Sequence, residues 1–176
     1  MKTIIMLAFA SVTAWLSLRD QSEKPPFPTP PGTIEFIADA GSPQVFTFED
    51  WSFKKVEYTE GKVEDIQVEL AIRTSSLSTG WKELEKNVRK KKEYFFVKKF
   101  PEATVTISGA EPAGENQFKT QAVFTIKGIS RPVELTFTLE GRHVKGSGLL
   151  NRRIFDFTDE GPKDEIPLTF EAELPE

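Results

Sequence analysis

Cysteine is absent from the chain. That excludes disulfides, thiolate metal sites and a lipid-modified N-terminal cysteine, and it fits either redox compartment. Histidine is nearly absent: His143 is the only one, next to a turn and preceded by Arg142. A Ser-His-Asp triad would have to use it, yet no nucleophile elbow is present. There is likewise no HExxH, no phosphate-cradling glycine loop and no metal-ligand cluster. The expectation is therefore no catalytic residue, no metal, no cofactor and no enzyme, with His143 a surface residue. The net charge of −4 argues against a nucleic-acid binder.

A long apolar run is missing too. Ile4 to Leu18 is uncharged and is stopped by Arg19-Asp20, but it falls short of the ~20 residues a spanning helix needs. With Lys2 before it, residues 1–18 read as a secretory signal. A cut after Ala14 would leave Trp15-Leu16 at the new terminus, a poor site, so an uncleaved N-terminal anchor stays open. Residues 19–32 (RDQSEKPPFPTPPG) hold five prolines and should run as an extended tether. The expected product is exported, periplasmic or secreted, with its folded domain over residues 33–176.

What the chain does have is phenylalanine, fifteen against two tyrosines and two methionines. Such rings line cavities as readily as they fill cores. From Thr33 onward the apolar period is two. Ile34, Phe36 and Ala38 alternate with polar residues, and Phe46 and Phe48 share a face. Parity slips between Phe53 and Val56, which predicts a bulge or a break. Ile66, Val68, Leu70 and Ile72 form the cleanest strand. Ala103, Val105 and Ile107 follow, then Phe118, Ala122, Phe124 and Ile126, then Val133, Leu135, Phe137 and Leu139. Val144 to Leu150 is glycine-rich and suits a bent or edge strand. Ile166, Leu168, Phe170, Ala172 and Leu174 end the series. The pattern predicts an all-β fold of about eight antiparallel strands, closed into a barrel wide enough for one small ligand.

One stretch breaks the rhythm. Ser78-Thr79-Gly80 offers hydroxyls to cap a short amphipathic helix starting near Trp81. Trp81, Leu84 and Val88 recur at helical spacing, and the helix should end or fray at Lys91. Tyr94 to Val97 returns an apolar cluster to the body, and Phe100-Pro101 forces an extended corner. Eight basic residues lie between Lys82 and Lys99 against three acidic ones. A solvated helix face explains that charge; the sharper reading gives Lys90, Lys91 and Lys92 contact with anionic lipid headgroups, a membrane surface or a ligand phosphate.

Four segments in order carry a resemblance. Ser75 to Gly80 (SSLSTG), Phe96 to Thr104 (FVKKFPEAT), Phe124 to Val133 (FTIKGISRPV) and Asn151 to Phe157 (NRRIFDF) resemble signatures of the YceI-like, lipid- and polyisoprenoid-binding proteins. Two positions depart from the family pattern: Trp81-Lys82-Glu83-Leu84 replaces its Arg-Asp step, and Thr158 stands where glycine is expected. The resemblance implies a lipocalin-like barrel, usually exported, whose apolar lumen takes an isoprenoid tail. The implied lumen wall is Phe36, Phe46, Phe48, Leu70, Ile72, Trp81, Leu84, Phe95, Val105, Phe124, Ile126, Leu135 and Phe137, although a packed core would satisfy the same alternation. The partner implied is a lipophilic small molecule, such as a polyprenyl lipid or an isoprenoid quinone, stored or carried. The competing expectation is a ligand-free interaction barrel that docks a partner through its basic helix face.

Overall fold

In the computed structural model, residues 30–176 are described; the signal or anchor expected over 1–18 and most of the 19–32 tether lie outside them. The strands are β1 (Gly32–Asp39), β2 (Pro43–Phe48), β3 (Trp51–Thr59), β4 (Lys62–Arg73), β5 (Leu77–Ser78), β6 (Glu102–Ser108), β7 (Glu111–Gly114), β8 (Gln117–Ile126), β9 (Ile129–Glu140), β10 (His143–Asn151) and β11 (Glu165–Glu173). One helix, α1 (Lys82–Lys90), separates β5 from β6. Every pairing is antiparallel, in the order β3-β4-β6-β8-β9-β10-β11-β1-β2-β5, with β7 on the outside of β8.

Eleven strands reduce to nine because two are kinked, and with β7 set aside as a short strand paired only to β8, eight remain around the barrel. Only Glu49 and Asp50 separate β2 from β3, and one 3-10 turn (Thr74–Ser76) separates β4 from β5. The two bent strands pair with each other on both sides of their kinks, Trp51 with Ile72 and Phe48 with Leu77. The sheet thus curls into a barrel whose edges are joined by the chain itself. The predicted bulge is present as a register shift between Phe53 and Lys55.

Alternation builds the wall. Along β8 and β9, Ala122, Phe124, Ile126, Val133, Leu135, Phe137 and Leu139 are buried while their neighbours face out. The β8–β9 turn places Lys127 and Gly128 both at positive φ, 53° and 76°, the backbone a two-residue hairpin needs to match strand twist.

Strand β10, expected to be bent or at an edge, loses the second of these alternatives. It is no edge: it pairs with β11 along its length and with β9 from His143 to Gly148. Its glycines answer to the barrel's rings instead. A Cβ on Gly146 would lie 2.3 Å from Phe170 Cζ and 2.7 Å from Phe137 Cβ, and one on Gly148 would lie 2.6 Å from Leu135 Cδ2. Two inward positions are left empty so that neighbouring bulky side chains can occupy the space. Replacing Gly146 with alanine should therefore destabilise the protein by about 1–3 kcal/mol through overpacking, read as a lower denaturation midpoint at unchanged slope.

Candidate functional site

The described interior contains two adjoining voids. The upper, about 220 Å³, lies beneath α1 and is walled by Phe36, Phe46, Phe48, Leu84, Phe95, Ile126 and Phe157 among others. The lower, about 80 Å³, is walled by apolar residues such as Phe53, Val68, Leu70, Leu135, Phe137 and Phe170. Ile34, Ile72, Val105, Phe124 and Leu168 border both and form a waist between them. Each void is below the roughly 300–1,000 Å³ of ordinary ligand pockets, so a long tail needs this waist to open.

Twelve of the thirteen residues assigned to the lumen wall stand on one void or both. Trp81 does not. It precedes the first turn of α1 in an extended conformation and is 59% exposed. The apolar stripe of the helix is carried inward by Leu84 and Val88, and Trp81 falls outside it. Lys90, Lys91 and Lys92 are exposed on the outer side of the cap, away from the lumen.

Capping also differs from expectation. No side chain caps the helix at its N-cap position. Instead, buried Glu85 reaches back, and the backbone N–H groups of Thr79 and Gly80 donate to its Oε1 at 2.8 and 3.1 Å. Thr79 Oγ1 accepts from the Trp81 N–H at 3.0 Å. Arg89 donates to the Leu77 carbonyl, and Lys91 closes the helix by donating its N–H to Asn87. The cap is thus tied to β5 by polar bonds and seated on the lumen by Leu84 and Val88.

Below it the rings are ordered. Phe36 stacks on Phe46 with centroids 4.8 Å apart, Phe48 meets Phe95 edge-on at 5.9 Å, and Phe95 meets Phe157 edge-on at 5.1 Å, geometries that satisfy the ring quadrupoles. Phe96, one residue on, turns outward toward Phe100 at 6.5 Å. Buried Lys127 stitches the segment down: its Nζ donates to the Lys92 carbonyl at 3.0 Å and to the Asp156 carbonyl, and it lies 5.1 Å from the Phe157 centroid.

The polar wall of the upper void was missed from sequence. Arg152, Asp159 and Tyr94 all border it. Arg152 and Asp159 form a buried ion pair at 2.6 Å, with side chains 5% and 8% exposed. Nothing local marks them: Asp159 sits in a stretch of charges, glycine and proline that reads as a solvated loop. The one available signal was Arg152 within the NRRIFDF segment. Burial, and then the charge of Asp159, hold the Tyr94 phenol above its ordinary range.

The same loop closes against the β1–β2 hairpin. Lys163 Nζ pairs with Asp39 Oδ2 at 2.6 Å, and its backbone N–H donates to the Asp39 carbonyl at 2.8 Å. His143 is on the outside, 3.3 Å from both Glu171 and Glu173.

Together these features define a class: an antiparallel, lipocalin-like barrel with an apolar interior under a helical cap. The comparisons give it a family. The model of the YceI-like domain matches residues 33–174, and the chain belongs to that family. It is 31% identical over 130 residues to the UPF0312 protein plu2095 of Photorhabdus laumondii, covering 68% of this chain and 66% of that relative, a little under two thirds of its length. Among solved structures, Burkholderia cenocepacia BcnA aligns with a TM-score of 0.70 at 23% identity, over 82% of this chain and 96% of its own. A polyisoprenoid binding domain from Saccharophagus degradans aligns at 0.56 and 14% identity, over 82% and 94%. The family match and these two alignments agree on one fold, a YceI-like barrel.

The Asp39–Lys163 strap gives a pH prediction. The Lys163 hydrogen bond, then that from the Gly41 N–H, holds the Asp39 carboxyl below its ordinary range. A depressed carboxylate stabilises the folded state above its unfolded pKa, and the contribution is lost as pH falls through the lowered folded value. Amide-exchange protection in residues 156–164 should therefore drop in that acidic window, and Asp39→Asn should lower protection already at neutral pH and flatten the dependence.

Proposed function

We propose that the protein is a non-enzymatic, exported carrier or store for a lipophilic molecule, a polyprenyl lipid or an isoprenoid quinone, held in the barrel under α1. The observation that carries this reading is the upper void: greasy on nearly every side, covered on one side by a helix, and polar at one edge. Support comes also from the Saccharophagus neighbour, described as polyisoprenoid-binding. The energetics favour it. Each methylene withdrawn from water contributes roughly 0.8 kcal/mol, so a few prenyl units offset the cost of ordering a floppy chain. Export rests on the sequence of residues 1–18 alone. Native mass spectrometry of the purified protein tests the reading: a bound lipid mass, released on denaturation, is expected.

The small size of both voids favours a second reading, a packed barrel that docks a partner through its basic helix face. A clean apo mass that stays unchanged after incubation with prenyl lipids would select it.

The reading includes delivery to or from an anionic membrane surface through Lys90, Lys91 and Lys92. Changing all three to glutamine should cut binding to phosphatidylglycerol vesicles by about a hundredfold at low salt, at about 1 kcal/mol per lysine near the surface, and leave the melting temperature unchanged. Undiminished vesicle binding would dismiss the membrane contact.

A further inference from the structure

Asp159 has one oxygen to spare. Its Oδ1 accepts from Arg152 Nη1 at 2.6 Å, while its Oδ2 is buried with no hydrogen-bond partner. Asp159 borders the upper void, and its enclosed Oδ2 meets a donor from there once the wall yields to an entering ligand. A buried acceptor without a donor is costly, and in native structures such an atom is usually matched by a water, an ion or a ligand. What matches this one is constrained by the groups around it.

Arg152 cannot serve an incoming anion. Its Nε donates to the Lys163 carbonyl at 2.9 Å, and its Nη2 donates to the carbonyls of Asp159 and Pro162, both at 2.7 Å. With Nη1 on Asp159, four of its five N–H groups are engaged. A phosphate here would meet a carboxylate, with no open guanidinium fork to bind it. An ether, ester or quinone oxygen brings an acceptor to an acceptor and leaves Oδ2 unmatched. A hydroxyl brings the donor. Tyr94, on the same wall, holds its phenolic proton more tightly than usual because burial and then the Asp159 charge disfavour the phenolate. It stays a donor for the oxygen of such a hydroxyl.

We infer that the upper void selects a lipophilic alcohol, its hydroxyl donating to Asp159 Oδ2 and its apolar chain lying against the phenylalanine rings. This rests on the lipid-carrier reading and narrows it: the ligand class is a prenyl alcohol or a hydroquinone, not a prenyl phosphate or an oxidised quinone.

Three probes with one tail separate the cases. Geraniol, geranyl methyl ether and geranyl phosphate are titrated calorimetrically into the full chain, stripped of co-purified lipid. Geraniol should bind at least about tenfold more tightly than the ether, since the ether leaves a buried acceptor unpaired, and more tightly than the phosphate. In Asp159→Asn an amide N–H can stand where Oδ2 stood, so the preference should vanish or turn toward the ether. Equal affinities for the three, or the phosphate binding best, would overturn this assignment and leave the carrier reading intact. If none binds, and no lipid co-purifies, the carrier reading falls and takes the assignment with it. The wild-type comparison decides the matter even if the variant fails to fold.

Discussion

The molecule turns on one corner, at Thr74 to Ser76. A strand that bends this sharply abandons part of its ladder, and the carbonyls it leaves behind need donors. Ser76, fully buried, donates its hydroxyl to the Arg73 carbonyl at 2.7 Å and to that of Asp50 at 3.3 Å. Thr74, nearly as buried, donates its hydroxyl to the Phe100 carbonyl at 2.7 Å, and its N–H to that of Pro101 at 3.0 Å. Across the bend the Arg73 N–H meets the Asp50 carbonyl at 2.9 Å, and the Glu49 N–H meets that of Ser76 at 3.1 Å. These six hydroxyl and amide bonds let two long strands turn together. After the turn β5 lasts two residues before the chain lifts off to make α1. Without the corner, β4 would continue as a strand and the barrel would have no cap.

This explains why SSLSTG and FVKKFPEAT behave as signatures though neither contributes a reactive group. The first supplies Ser76, whose hydroxyl binds the bend's own Arg73 carbonyl, and the second supplies the Phe100 and Pro101 carbonyls that Thr74, just before the first segment, binds. Small side chains are required at Ser76 because it is enclosed. Fully enclosed Leu77 anchors the bent strand to the same core that Phe155 enters from the opposite side of the barrel.

Most of this wall was legible in the primary structure because period-two alternation is a local property: Phe124 and Ile126 face the lumen for the same reason Gln121 and Val123 do not. The turns at Gly61, Lys127-Gly128 and Gly141 were legible too, since each needs positive φ. What stayed hidden depends on distant partners. Gly146 looks like a weak strand residue until Phe137 and Phe170 arrive from β9 and β11 to fill the space above it. Trp81 sits on the helical stripe by spacing, but the helix begins one residue later and the ring stays outside. The burial of Arg152 and Asp159 goes with three loop carbonyls gathered by the guanidinium, which no helical or strand period announces.

That pair raises a last point about what the barrel is organised to do. A buried ion pair is weak evidence for stability; a well-packed apolar substitute is often as stable or more so. Here the pair is set into an otherwise apolar wall, where two more aliphatic residues would close the void. Arg152 instead gathers the carbonyls of Asp159, Pro162 and Lys163 into one arc and holds the loop over the upper end of the barrel. The loop in turn meets the β1–β2 hairpin through Lys163 and Asp39. Replacing the pair by leucines would forfeit the arc, and with it the only described polar edge of the lumen besides Tyr94 and Thr104. The division of labour follows from the physics of the two kinds of contact. Apolar burial is strong but tells one greasy chain from another only by size. An unpaired oxygen in a dry wall adds little gross affinity, yet it penalises every ligand that fails to match it. The rings therefore supply the holding power of the interior, and the ion pair supplies its discrimination.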